Sequence, residues 1–342
     1  MRRLALLVLV LLLGRLLPAA PRNLDIYFVD VEGGAATLIV TPAGESLLVD
    51  TGNPVADDRD ARRIHQATQL AGLKQIDYLL ITHFHGDHVG GVPALSKMIP
   101  IRRFFDHGDS IEKASNPQAV KQWDAYAAAS AGKRTILKPG DKIPLKGLNV
   151  QVVSSNGEVL TKPINGGGPN AALCANAKKK DPDPTENARS LGFLLSFGKF
   201  QFLDVGDLTW NKERLLACPN NIVGKVDLFQ ATHHGFFNDM SGPAELVWAI
   251  QPQVVIVNNG PRKGLSSASA HDILVKSPGL QDIWQGHLSL FAKEYNTSEN
   301  QIANLEPTEQ CKGNWLKVSV EPGGKYTVTN GRNNFSKSYT AR

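Results

Sequence analysis

From residue 24 onward the chain alternates short runs of β-branched and aliphatic residues with segments whose apolar positions recur at helical spacing. "LDIYFVDV" (24–31), "ATLIVT" (36–41) and "SLLVDTG" (46–52) predict three consecutive strands, with "PAGE" turning between the second and third. A helix is predicted from about Asp58, with Ala61, Ile64 and Ala71 on one face and Gly72 placed to end it. "IDYLLIT" (76–82) is a short apolar run and predicts a buried strand. "VPALSKMI" (92–99) predicts a short helix, and "IRRFF" (101–105) a strand. In "NPQAVKQWDAYAAASAG" (116–132), Asn116 caps a helix, Pro117 takes its first turn and Gly132 stops it. Val120, Trp123 and Ala127 form the predicted inner stripe.

The second half repeats the alternation. "LNVQVVS" (148–154), "SLGFLLSF" (190–197) and "FQFLDVGD" (200–207) predict strands, the last two joined through Gly198 and Lys199 as a hairpin. "VDLFQAT" (226–232) and "QVVIVNN" (253–259) predict two more, separated by helices near 210–217 and 243–250, with another helix at 268–276. "WLKVSV" and "KYTVTN" predict a closing hairpin. Two blocks of strands, each with its helices, predict an α/β fold of two sheets packed face to face with helices outside, a four-layer sandwich over residues 24–342.

One stretch breaks the pattern. Residues 156–188, "NGEVLTKPINGGGPNAALCANAKKKDPDPTENA", are rich in Gly, Pro and Asn and have no hydrophobic period. A long irregular insertion of this kind is either a lid or binding loop, or a tolerated surface excursion. The first twenty residues differ again. Two arginines, an apolar run from Leu4 to Leu13 and small residues at Ala19 and Ala20 predict a secretory signal peptide, too short for a comfortable membrane span. The body is then expected outside the cytoplasm, periplasmic or secreted, with no stable membrane insertion once the signal is removed. Three cysteines (Cys174, Cys218, Cys311) allow at most one internal disulfide, and their spacing has no metal-binding character. At 42% hydrophobic and 20% charged the chain is globular in composition, and its net charge of +5 is too mild to argue for nucleic acid by itself.

Chemistry concentrates in "ITHFHGDHVGG" (81–91), which places three histidines and an aspartate in six positions just past an apolar run. His83 and His85, two residues apart at a strand end, face one side and can share a cation. Asp87 and His88 follow across a turn eased by Gly86 and offer an oxygen and a nitrogen to a second. Mixed imidazole and carboxylate ligation suits zinc, and iron or manganese less selectively. Two such cations clamp the attacking and leaving oxygens of a hydrolysis and acidify a bridging water. Asp207, just past another β-run, supplies a bridging anion, and His233 and His234 stand past a third.

"THFHGDHVGG" resembles the signature of the metallo-β-lactamase-fold superfamily, whose members are αβ/βα sandwiches with a one- or two-metal site between the sheets. "LLVDTG" around Asp50 is similar to that fold's aspartate that supports the metal loop. The resemblance implies His83, His85, Asp87, His88, Asp207 and His233 as metal ligands, with Asp50 fixing a ligand histidine. Within the superfamily, "IYFVDVEGGAATLIV", "ENARSLGFLLSFGKFQFLDVGD", "ATHHGFFND" and "VVIVNNGPRKGLSSASAHDIL" resemble blocks of the hydrolase domain of competence DNA-uptake (ComEC-type) proteins and related phosphodiesterases. The family's further histidine before the bridging aspartate is replaced here by "VVSSNGE", so Asn156, His107 or water is expected to complete the His83/His85 shell. No stretch of these 342 residues resembles the uptake proteins' membrane channel, so a role as the uptake pore itself is not expected.

The expected activity is metal-dependent hydrolysis on two zinc ions, of a small-molecule or nucleic-acid phosphodiester. Asp87 is the expected catalytic carboxylate, and His271 binds the scissile group or protonates the leaving group. A lactone- or β-lactam-type hydrolase uses the same centre, and a non-catalytic binding module would retain the fold without it. His287 is a weaker candidate, and His234 is expected beside His233 without a metal-binding role.

Overall fold

A computed structural model describes residues 22–236, 240–265, 267–306 and 311–342. The predicted signal peptide lies outside the described residues. Two nine-stranded assemblies dominate. The first sheet runs in the order 336–340, 325–330, 316–320, 24–28, 37–40, 46–49, 76–80, 101–106, 134–136. It is antiparallel from the carboxyl-terminal strands through Ser46–Val49 and parallel from there on. The second runs 302–304, 282–287, 254–257, 228–230, 200–204, 192–197, 149–155, 142–143, with 158–159 paired on 149–155. Its first five strands are parallel and the rest antiparallel.

The strands are buried on both faces, so most read as continuous apolar runs. Leu24, Ile26 and Phe28 point between the sheets, where they join Phe193, Leu195, Phe200, Phe202 and Trp284. Tyr27, Val29 and Leu38 point the other way, onto the helices Arg59–Leu70, Val92–Met98 and Pro117–Ser130. Leu194, Leu203 and Phe229 of the second sheet likewise meet the helices Trp210–Ala217, Ala244–Ile250 and Ala268–Val275. The result is the four-layer αβ/βα sandwich.

Two details differ from the sequence expectation. The helix Pro117–Ser130 is capped by Asn116 as predicted, its side chain accepting from the amides of Gln118 and Ala119. It buries Ala119, Tyr126 and Ser130 instead of Val120 and Ala127, because Trp123 and Tyr126 pack edge-on or tilted against Phe84 of the histidine turn. The closing hairpin gains a third strand, Ser336–Thr340, and all three extend the first sheet beside its amino-terminal strand.

Residues 156–188 form a strap along the helix Trp210–Ala217. Its middle is tied to the end of that helix by the Cys174–Cys218 disulfide. Its later part is tied to the helix start: Trp210 Nε1 donates to the Lys178 carbonyl, and Asn211 exchanges hydrogen bonds with the backbone of Lys180. No described helix is long and apolar enough to cross a membrane.

Candidate metal centre

The site residues stand where strands end and the chain turns at the same edge of the two sheets. Asp50 follows Ser46–Val49, His83 follows Ile76–Leu80, Asp207 follows Phe200–Asp204, and His233 follows Leu228–Gln230. Strand ends locked in a sheet hold their side chains far more firmly than a free loop does. Close backbone approach completes the geometry. Gly206 adopts a left-handed φ of 56°, and a Cβ there would stand 2.8 Å from Thr82, so only glycine lets the Asp207 turn lie against the histidine turn.

Asp207 Oδ2 is the hub. It lies 3.3 Å from His88 Nε2, 3.4 Å from His234 Nε2, 3.5 Å from His233 Nε2 and 4.0 Å from His83 Nε2. Asp87 Oδ2 lies 3.4 Å from His88 Nε2 and 3.2 Å from His234 Nε2. Asp87, His88, Asp207 and His234 thus offer four donor atoms, all within 4.8 Å of one another. His83 Nε2 faces His85 Nδ1 at 3.1 Å, and His88 Nε2 faces His234 Nε2 at 3.3 Å. Ring nitrogens aimed at one another around two carboxylates make a donor set that a divalent cation satisfies, and the residues fit such an ion.

Second contacts orient the ligands. Asp50 Oδ1 accepts from the Thr82 amide at 2.8 Å, and its Oδ2 takes the Thr82 hydroxyl at 2.8 Å and His88 Nδ1 at 2.7 Å. With Nδ1 occupied, Nε2 of His88 is the nitrogen turned to the hub. Glu112 Oε1 lies 3.2 Å from His85 Nε2 and also accepts the Glu186 amide. Glu186 in turn accepts from the amides of Phe84 and Ile111 and pairs with His107 Nε2 at 2.9 Å. The far end of the strap therefore buttresses the His83–His85 turn.

The electrostatics follow from this crowding. Burial opposes ionisation of Asp87, yet His88, His234 and Lys263 hold its carboxyl well below the usual range. Burial likewise opposes the Asp207 charge, and His88, His234 and His233 overcome it. The imidazole of His88, although desolvated, is raised well above its ordinary value by Asp207, Asp50 and Asp87. His83 is pushed well below, first by burial and then by its neighbours His88 and His85. Both carboxylates are thus ready as anionic ligands, and His83 is a neutral one.

All six residues predicted as ligands, His83, His85, Asp87, His88, Asp207 and His233, are brought to this edge. His234, expected to stand aside, is instead the histidine that reaches both Asp87 and Asp207. Consecutive left-handed residues, φ 53° at His233 and 58° at His234, turn both rings toward the hub. Asn156 and His107 do not complete the His83/His85 shell. Asn156 is exposed and accepts from Arg189, while His107 is committed to Glu186. His271 is not brought to the cluster either: its ring stacks on Tyr295 at 4.8 Å. His287 lies with Asp30, Glu32 and Cys311 in a separate group of potential donors. There Arg63 already binds Asp30 and Glu32, and Arg59 takes the other Glu32 oxygen, so the carboxylates are neutralised by guanidinium.

Lys263, which no sequence pattern marks, joins the cluster. Its Nζ contacts Asp87 Oδ2 directly. Between the strap and the start of the helix Trp210–Ala217 a cavity of about 690 Å³ opens, lined by Lys179, Lys180, Thr185, Thr209, Trp210 and Met240 among others.

Residues 29–154 match the family described as the metallo-beta-lactamase superfamily. The chain is 33% identical over 109 residues to an atrochrysone carboxyl ACP thioesterase, dmxR1, of Cryptosporiopsis sp. (strain 8999), covering 31% of this chain and 32% of that one. It is 40% identical over 67 residues to a UPF0173 metal-dependent hydrolase of Cupriavidus metallidurans, covering 19% and 21%. The chain thus spans about a third or less of the length of these curated relatives. Among solved structures it is similar to the metallo-beta-lactamase fold protein YhfI of Bacillus subtilis, at 11% identity and a TM-score of 0.46, covering 77% of this chain and 95% of that one. The two packed sheets with helices outside are the metallo-beta-lactamase fold, and residues 29–154 are similar to that superfamily.

Proposed function

We propose that the chain is a metal-dependent hydrolase that cuts phosphodiester bonds at a dinuclear centre, with zinc as the metal its donors suit best. The observation that carries this reading is Asp207 Oδ2, one carboxylate oxygen surrounded by the imidazoles of His83, His88, His233 and His234. His83 and His85 with Asp207 would hold one ion, and Asp87, His88, Asp207 and His234 the other. When bound, such ions supply Lewis acidity and bring the pKa of a water toward neutrality. The chain's own residues do the rest. Asp50 keeps His88 in register through its Nδ1. Asp87, held ionised, orients the attacking water and receives its proton at a carboxylate oxygen. The rim is open where His85 and Lys263 are about one-third exposed, so the leaving oxygen takes its proton from solvent.

The sequence blocks similar to ComEC-type hydrolase domains support a phosphodiester substrate, small or nucleic acid. A second reading, hydrolysis of an acyl bond such as a thioester, lactone or β-lactam, is supported by the thioesterases among the partial relatives. We propose export as well: the Cys174–Cys218 disulfide supports an oxidising compartment.

Elemental analysis of the purified chain, with bis(p-nitrophenyl) phosphate, a chromogenic lactam and a thioester assayed on the same sample, tests the proposal. About two zinc per chain with phosphodiester turnover is the expected result. Acyl turnover alone would move the substrate class, and a chain that takes up no metal on reconstitution would overturn the hydrolase.

A further inference from the structure

The loop after the strand Val254–Val257 places a lysine against the proposed centre, 176 residues away in sequence from the aspartate it touches. This placement is built into the fold. The Gly260 amide donates to the Lys263 carbonyl at 2.9 Å, closing a tight turn. That turn rests on the loop 32–34, where a Cβ on Gly33 would stand 3.0 Å from the Lys263 Cβ and 3.2 Å from the Gly260 nitrogen. A Cβ on Gly264 would strike the His234 carbonyl at 1.9 Å, so the same turn also lies on the His233–His234 segment. Three glycines thus allow the backbone of Lys263 to be clamped between the loop 32–34 and the His233–His234 segment, while its side chain, one-third exposed, runs from that clamp to Asp87 Oδ2.

We propose that Lys263 is the residue that reads negative charge on the substrate, binding an anionic oxygen of the scissile group; this rests on the hydrolase reading above. Asp87 Oδ2 also faces His88 Nε2 and His234 Nε2 of the four-residue cluster, at 3.4 and 3.2 Å. An ammonium and a divalent cation would compete for one carboxylate oxygen and repel each other, so Lys263 Nζ would leave Asp87 when these residues hold an ion. The backbone clamp confines the displaced amine to the rim, and its four-carbon stem swings toward solvent, the side from which substrate arrives. There it faces the reacting group as a strongly hydrated point charge with three donors, suited to a phosphoryl oxygen. A neutral group offers it no comparable partner.

The test compares the metal-loaded full chain with Lys263→Met, Lys263→Gln and Lys263→Arg. Metal content is measured first, and affinity for inorganic phosphate second, by calorimetry. Both neutral variants should keep their metal and bind phosphate about tenfold more weakly, with the arginine variant within about threefold of the parent. In turnover, the preference for bis(p-nitrophenyl) phosphate over the neutral triester diethyl p-nitrophenyl phosphate should fall about tenfold in kcat/KM in the neutral variants. The methionine and glutamine variants give the same comparison, so misfolding of one leaves the other to decide. Unchanged phosphate affinity at equal metal content overturns the proposal, as does a parent chain that holds metal but binds no phosphate. A parent that binds phosphate through Lys263 yet cleaves no phosphodiester would refute the phosphodiesterase reading alone.

Discussion

Glu213 offers a sharp test of how the site's supporting shell is built. It lies on the helix Trp210–Ala217, fully buried, where Oε1 accepts the Thr232 hydroxyl at 2.7 Å and Oε2 the Gly242 amide at 2.6 Å. Thr232 precedes His233, and Gly242 follows Ser241, whose hydroxyl lies 3.4 Å from His233 Nδ1. Burial pushes this carboxyl from 4.5 up to about 8, against the pull of its two hydrogen bonds. The native state therefore favours the protonated form. Below pH 4.5 the side chain is neutral folded and unfolded, and its contribution is fully present. Between 4.5 and 8 only the unfolded chain ionises, so stability falls with rising pH, and it levels off above 8. At about 1.36 kcal/mol per unit, the loss from pH 6 to pH 9 is on the order of 2–3 kcal/mol. Glu213→Gln removes the titration and keeps the side chain's shape, its amide oxygen accepting from the Gly242 amide and its amide nitrogen donating to Thr232 Oγ1, the reverse of the parent's bond there. Urea unfolding of parent and variant at pH 6, 7, 8 and 9, both freed of metal by a chelator, reads the difference directly. The variant should gain about 2–3 kcal/mol relative to the parent across that interval. Parallel curves would refute a buried, protonated Glu213.

Four further outcomes follow from the proposed centre and its strap. Asp207→Ala, which removes the hub oxygen, should lower bound metal and cut activity by at least about 100-fold, whereas His271→Ala should leave metal content at the parent level; elemental analysis and kcat decide both. Asp50→Ala frees His88 Nδ1 and should weaken metal affinity by about 10- to 100-fold in a chelator competition, without altering the donor atoms themselves. Cys174→Ser opens a covalent loop with a sequence separation of 44 and should cost about 2–4 kcal/mol in urea unfolding.

Much of the centre was legible because its chemistry is local. In "HFHGDH" the ligands lie within six positions, and the strand before them predicts where they point. Asp207 was legible for the same reason, standing just beyond a clear apolar run. What escaped depends on contacts across the fold. Two adjacent histidines cannot be ranked as ligands by spacing, because the choice turns on their successive left-handed φ angles. Lys263 belongs to a polar loop, and only the packing of two sheets carries it to Asp87. Val120 looked like an inner residue at helical spacing, and tertiary packing of Trp123 and Tyr126 against Phe84 rotated the buried face away from it.

The insertion at 156–188 shows the same limit from the other side. Its composition allowed a lid or an idle excursion, and its contacts support neither description. A lid must leave its site at small cost, but this segment is tied by a disulfide to one end of a core helix and by reciprocal hydrogen bonds to the other. An idle excursion would contribute nothing to the centre. Instead Glu186, at its end, accepts the Phe84 amide and joins Glu112 in holding the turn that carries His83 and His85. The two-histidine half of the proposed centre, where "VVSSNGE" replaces the histidine that the resembling family carries, is thus the half that the strap supports. A centre short of one protein ligand depends more on the rigidity of those that remain, and anchoring the turn through Glu186 and Glu112 supplies that rigidity from outside the ligand set.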